Sequence, residues 1–202
     1  MKQIATNEEL NKITENYPNN IEICKKILKM LNNEKVQIEQ DETSDTTVYL
    51  ALQDKICLGN MHGSFTRIQT IAHECLHSIQ DIKLLIVNFI YSNMYLLYFI
   101  VICILVILKK LPNEMLFSNI LLIISFIYYV IRIFLENDAM IKARYLAEQY
   151  MNEENISSKD EIKNIVNGFE NLNKDVIKGT NTSIFINIMI KIVIFNVLAL
   201  IF

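Results

Sequence analysis

LLIVNFIYSNMYLLYFIVICILVIL, residues 84–108, runs for 25 positions without a charged side chain. At 1.5 Å per residue a helix of that length reaches roughly 37 Å, more than the ~30 Å hydrocarbon core of a bilayer. The stretch therefore predicts a tilted membrane-spanning helix. A large soluble helical core is the competing explanation, but a helix on the rim of such a core needs a polar outer face. Leu96–Leu108 (LLYFIVICILVIL) has none.

Toward the C-terminus the pattern repeats. Met115–Leu135 is apolar except for Arg132 near its end, where a long side chain can reach the headgroups. Ser183–Phe202 has spanning length but carries Asn187, Lys191 and Asn196. A lysine near mid-bilayer costs about 2.5–3.5 kcal/mol on insertion scales, so this third span is the least favourable of the three. The first two are joined by KKLPNE, Lys109–Glu114, which is short enough to force a hairpin. Everything before residue 84 then shares one side with Glu136 to about Thr182. That side holds Arg67, Lys83, Lys142, Arg144, Lys163, Lys174 and Lys178 near span ends, against Lys109 and Lys110 at the hairpin tip. The positive-inside rule puts the polar regions in the cytoplasm and, if the last block spans, the C-terminus outside. Met1–Asn20 is hydrophilic and the first apolar block starts near residue 84, so no cleavable signal peptide is expected.

Composition narrows the function. Of 202 residues 52% are hydrophobic, concentrated beyond position 80, and the net charge of −3 offers no basic field for nucleic acid. Cys24, Cys57, Cys75 and Cys103 form no C-x-x-C pair, and Cys103 falls inside a span, so neither a disulfide framework nor a zinc ribbon is readable. The expected fold class is a mainly α membrane protein with a small β element. Its organisation is an N-terminal cytoplasmic part (1–82), a transmembrane hairpin (83–135), cytoplasmic helices (136–182) and a C-terminal transmembrane segment (183–202). Nothing in the sequence sets the oligomeric state.

Within the polar part, Asn7–Asn16 and Asn20–Asn32 predict two short helices separated by Pro18, the second with Ile21, Cys24, Ile27, Leu28 and Leu31 on one face. VQIEQ (36–40), TTVYLALQ (46–53) and KICLGN (55–60) predict a small sheet or hairpin. A helix is expected from Ser64 as N-cap, with Phe65, Ile68, Ile71, Ala72, Leu76 and Ile79 as its apolar face. Glu136 to about Met151 should continue the second span as a helix. Another should start at Ser158, where Glu161 completes a capping box.

The helix after Ser64 carries His73-Glu74-Cys75-Leu76-His77, two of the chain's three histidines in the pattern H-E-x-x-H. On a helix, residues i and i+4 project from one face, so both imidazoles can converge on one ion, while Glu74, rotated by about 100°, stands beside the open coordination position. That is the arrangement zinc hydrolysis needs: Zn2+ lowers the pKa of a bound water to about 7, and a carboxylate takes its proton during attack on a peptide carbonyl. A third ligand is required. The metzincin histidine six residues after His77 is excluded, because position 83 is Lys. His62 lies upstream on an expected loop and reads as a surface or cleft residue. A carboxylate is needed, and Glu136 in FLENDAMIKARYLAEQY is the first choice, since Ala139 and Ala143 would let its helix approach the histidines closely. Asp138 could orient an imidazole through its second nitrogen. The alternatives are Glu136 as only an i,i+4 partner of Arg132, and Asp81, one turn after His77, in the ligand role.

TVYLALQ, AHECLHSIQD, a hydrophobic hairpin and then E-N-D-A-x-x-x-A together resemble the YugP-like neutral zinc metallopeptidases of bacterial membranes. More distantly they are similar to the HtpX and CAAX-prenyl-protease gluzincins. The resemblance covers about residues 46–150. It implies Zn2+ held by His73, His77 and Glu136 with Glu74 as the base, although Cys75-Leu76 stands where a glycine commonly precedes the second histidine and Met140 where a small residue usually follows the alanine. It also implies that TVYLALQ is an edge strand pairing with extended substrate, the alternative being an ordinary sheet strand. A transition-state donor is expected as well, and Arg144 or Tyr145 could supply it. The leading expectation is a membrane-anchored zinc endopeptidase acting on membrane-associated polypeptides at the cytoplasmic lipid surface. Cleavage inside the bilayer is disfavoured by the polar Gln69, Ser78, Gln80 and Asp81 flanking the motif. A catalytically silent membrane scaffold or partner-binding protein is the alternative from a different class; an intact Glu74 argues against it.

Overall fold

The computed structural model describes residues 7–61 and 63–202. Six helices and three short strands follow in the order α1 (Glu8–Glu15), α2 (Asn20–Met30), β1 (Gln37–Asp41), β2 (Val48–Leu50), β3 (Lys55–Gly59), α3 (Arg67–His77), α4 (Ile82–Ile107), α5 (Glu114–Glu154) and α6 (Lys159–Ile201). They divide into two compact units, one made of the chain up to Ile82 with Glu136–Ile177, the other of Lys83–Leu135 with Lys178–Phe202. The mainly helical class with a small sheet is as the sequence predicts.

In the first unit the short helices are capped as their sequences suggest. Asn7 and Asn19 each accept from a first-turn amide, of Leu10 and Glu22 respectively. The sheet is mixed, with order β1-β3-β2, β1 parallel and β2 antiparallel to the central β3. Gly59 closes β3 where Thr46 crosses it: a Cβ at 59 would stand 2.7–2.8 Å from the Thr46 backbone, closer than any side chain tolerates. Ile56 and Leu58 of β3 join Ile23, Cys24, Ile27 and Leu28 of α2 and Ile68, Ile71, Ala72 and Cys75 of α3 in one core. Ala139, Ala143 and Ala147, spaced one turn apart on α5, are fully buried in the same core.

Two details differ from the sequence reading. Helix α3 starts at Arg67 rather than at Ser64, and its cap residue Thr66 makes no side-chain capping bond; Ser64 instead turns its hydroxyl to the Thr66 amide, closing a local turn before the helix. Arg67 is not a membrane-proximal surface cation either. Only 4% exposed, it donates to the carbonyls of Thr14, Tyr17 and Pro18 and to Asn20 Oδ1, at 2.6–3.0 Å. A guanidinium presents its donors in a fixed fork, and here its two terminal nitrogens reach four acceptors where α1 ends and α2 begins, anchoring α3 to both.

The second unit consists of α4 and the apolar stretches of α5 and α6, each long and apolar enough to cross a membrane. The turn between α4 and α5 is closed by Lys109 at φ 53°, with the Lys110 amide donating back to the Leu105 carbonyl. Tyr95, Ile102 and Val106 of α4, Leu121 of α5, and Ile188 and Phe195 of α6 form a narrow inner seam. Outside it, Phe89, Leu97, Phe126, Val193 and many other large apolar side chains are exposed. Such an outer surface suits lipid, not water. The expected helix after the second block is the same helix as that block, α5. The capping box at Ser158 and the third block also belong to one helix, α6, where the Ser158 amide donates to Glu161 Oε2 at 2.7 Å and the Glu161 amide to Ser158 Oγ at 3.3 Å.

Candidate metal centre

Helix α3 turns its apolar face, Ile68, Ile71, Ala72, Cys75 and Leu76, into the core, which leaves His73 and His77 on the opposite edge, only slightly exposed. Their Nε2 atoms lie 3.1 Å apart. Glu136, buried at the start of the first unit's share of α5, brings Oε2 to 3.6 Å from His73 Nε2 and 3.8 Å from His77 Nε2. These three side chains could hold a metal ion.

The donor set can be tested against zinc. Bonds of roughly 2.0–2.1 Å at tetrahedral angles set ligand atoms roughly 3.3 Å apart. The three observed separations surround that value, and the point equidistant from the three atoms in their own plane is about 2.0 Å from each, so a tetrahedral ion above that plane is reached once the two longer separations close by roughly half an ångström. Two imidazoles and one carboxylate are also the donor chemistry of hydrolytic zinc sites that keep a position open. The residues fit the ion.

Glu74 stands beside the group. Its Oε2 accepts the Tyr49 backbone amide of β2 at 2.7 Å, and its Oε1 lies 3.8 Å from His73 Nε2. Burial pushes its carboxyl pKa up, against the pull of the two histidines and the Tyr49 amide. The Tyr49 contact also orients β2: its amide turns away from β3, and the order β1-β3-β2 leaves that side of β2 without a strand partner among the described residues. The sequence reading had no signal for this link, because 25 positions separate the two residues.

Gln80 was likewise missed. Its Oε1 pairs with His77 Nδ1 at 2.8 Å, and its Nε2 donates a long 3.4 Å bond to Asp138 Oδ2, while Lys142 holds Asp138 Oδ1 at 2.6 Å. A carbonyl acceptor on Nδ1 requires the proton there and leaves Nε2 as the free ligand nitrogen. Asp138 thus reaches the imidazole through Gln80 rather than directly. Burial works against a proton on His77, yet bonds to Glu136 and Gln80 and the nearby carboxylates hold its pKa above the usual histidine value.

The other named residues lie elsewhere. Asp81 is exposed and outside the group. Arg144 pairs with Glu170 of α6 at 2.6 Å and stacks over Tyr145. Tyr145 is 60% exposed, and nine residues beyond Glu136 it falls on the opposite side of α5. His62 lies outside the described residues. Cys75, inside the motif, faces inward with its Sγ 3.7 Å from that of Cys24; both are free thiols.

Fold and site together define a helical chain with membrane-spanning candidates and a His-His-Glu group able to take a metal. No protein-family model, curated protein or solved structure matches the chain. The functional reading therefore rests on the site itself.

Proposed function

We propose that the protein is a membrane-anchored zinc-dependent endopeptidase that cleaves membrane or membrane-proximal polypeptides. The observation that carries this reading is the meeting of His73, His77 and Glu136 around a zinc-sized gap with a carboxylate, Glu74, alongside. A zinc ion there supplies Lewis-acid chemistry, activating water toward a peptide carbonyl. His73, His77 and Glu136 would hold it. Glu74, beside the histidines, would take up the water's proton and return it to the departing amine. The Tyr49 amide fixes one oxygen of Glu74, leaving the other to face the histidines. Extended substrate would lie along the open side of β2 and pair with backbone groups other than the Tyr49 amide, which Glu74 holds. Arg144 and Tyr145 have no supporting contact as transition-state donors.

In this reading the hairpin 83–135 and the segment 183–202 cross the cell membrane, and the segments 1–82 and 136–182 face the cytoplasm. The charge bias survives without Arg67, since Lys83, Lys142, Arg144, Lys163, Lys174 and Lys178 still outnumber Lys109 and Lys110. Glu136 follows the second apolar block directly in the chain, which suits substrates at the lipid surface.

The test is metal analysis with proteolysis of membrane-protein substrates by wild type and Glu74→Gln. Zinc retained by both, with cleavage lost only in the variant, is the expected result. A wild type that binds zinc but cleaves no peptide or membrane substrate would leave the silent scaffold standing and overturn the peptidase.

A further inference from the structure

Lys191 sits where hydrocarbon should be, in the apolar half of α6. The second unit offers no carboxylate to pair it: Glu114, at the hairpin turn, is the only acidic residue between positions 83 and 135, and there is none from 178 to 202. The ammonium instead meets Asn187 Oδ1, one turn earlier, and the face of Tyr95, whose ring centre is 5.4 Å away. A buried or half-buried cation supported only by a neutral amide and a ring is under-compensated, and an ionisable residue in a spanning segment marks a functional site by default.

The surroundings are a built groove of about 370 Å³ between the three spanning helices, lined by Ser92, Asn93 and Tyr95 of α4, Tyr128 of α5, and Ser183 and Asn187 of α6 beside Lys191. The polar groups follow helical spacing. Ser183, Asn187 and Lys191 recur every four residues on one face of α6, and Ser92 and Tyr95 are three apart on α4. Tyr95 and Tyr128 stack at 5.5 Å and form its aromatic wall. Ser92 and Asn93 donate to the Phe89 carbonyl of their own helix, but Ser183 and Asn187 are exposed on the side of the bundle. Toward lipid tails such groups are costly. Snorkelling alone accounts for a lysine near a span end; it does not account for the row of polar side chains that leads to this one from the adjoining turns.

We propose that this groove binds the phosphate of an anionic membrane lipid, with Lys191 as the charge partner. The ligand's sign follows from one cation with no acidic residue in the groove. Its class follows from the orientation proposed above: the Lys191 ammonium turns back to Asn187 and so toward the cytoplasmic end of the span, and basic pockets between transmembrane helices on that side take anionic headgroups. Asn187, Ser183 and Tyr128 add donors for phosphate oxygens. The site depends on α6 crossing the membrane in the orientation proposed above but not on the peptidase reading, and the test below uses no cleavage.

Full-length protein is purified from membranes and its bound lipid is measured by native mass spectrometry. It is then reconstituted into nanodiscs of phosphatidylcholine with or without phosphatidylglycerol, and melting is followed in each. Wild type should retain the anionic lipid with about a five-fold preference, the scale of one lysine near anionic headgroups, and melt higher in its presence. Lys191→Met should lose both the preference and the shift while melting no lower than wild type in phosphatidylcholine, and Lys191→Arg should keep both. An equal response of Lys191→Met and wild type would overturn the proposal. So would the same stabilisation of detergent-solubilised protein by inorganic phosphate, since that assigns the site to a free anion.

Discussion

Replacing Gln80 tests whether the centre is organised beyond its ligands. Gln80→Leu leaves an apolar side chain of roughly similar bulk and removes the acceptor that faces His77 Nδ1 at 2.8 Å. His77 is only 12% exposed, so water replaces the lost partner poorly. Leaving a buried donor unpaired costs about 1–3 kcal/mol. If the imidazole escapes that cost by moving its proton to Nε2, it blocks the nitrogen that would bind the ion. Binding zinc then has to restore the unpaired Nδ1 donor, so affinity falls, and 1–3 kcal/mol corresponds to about 5- to 150-fold in dissociation constant. Loss of an outer partner of a ligating histidine elsewhere costs about 10–100-fold, inside the same range. The assay is a zinc titration against a competing chelator, with circular dichroism and melting of the zinc-free proteins as controls for folding. Gln80→Glu, which keeps an acceptor and adds a charge, should bind at least as tightly as wild type. A folded Gln80→Leu with wild-type affinity would refute the reasoning, showing that nothing on the Nδ1 side prepares His77 for a metal.

Ile71→Ala removes a side chain that is fully buried between α3 and the core, so a loss of about 2–5 kcal/mol in unfolding free energy is expected by denaturant titration. Ser158 hydrogen bonds, the backbone one foremost, hold the Glu161 carboxyl below its ordinary 4.5. A depressed carboxyl pKa adds stability above the unfolded-state value and loses it as pH falls through the folded one. An NMR titration should therefore find Glu161 below 4.5 in wild type and closer to it in Ser158→Ala, with the start of α6 fraying in acid.

How much of this was legible in the chain follows from the range of each interaction. The long apolar helices, the capping box and the i,i+4 histidines are written in contiguous residues, because hydrophobic run length, local caps and helical spacing act within a few positions. The choice of Glu136 over Asp81 was a preference on the sequence, and the structure brings Glu136 to the imidazoles while Asp81 stays outside the group. The start of α3 was misplaced because Ser64 can either cap a helix or close a turn, and only the surrounding packing decides between the two. The charge of Arg67 was legible but its place was not: its four oxygen partners lie 47–53 residues away.

The sequence by itself determined the class of the protein: three apolar blocks, a polar part, and a motif whose two imidazoles must share a face. Tertiary structure alone decided which carboxylate meets them, that a strand amide 25 positions upstream holds Glu74, and that Gln80 stands between His77 and Asp138. The physical reason is that coordination and hydrogen bonding act over about 2–3.5 Å whatever the separation along the chain. Their partners are set by how buried faces pack, and packing is a property of the whole core.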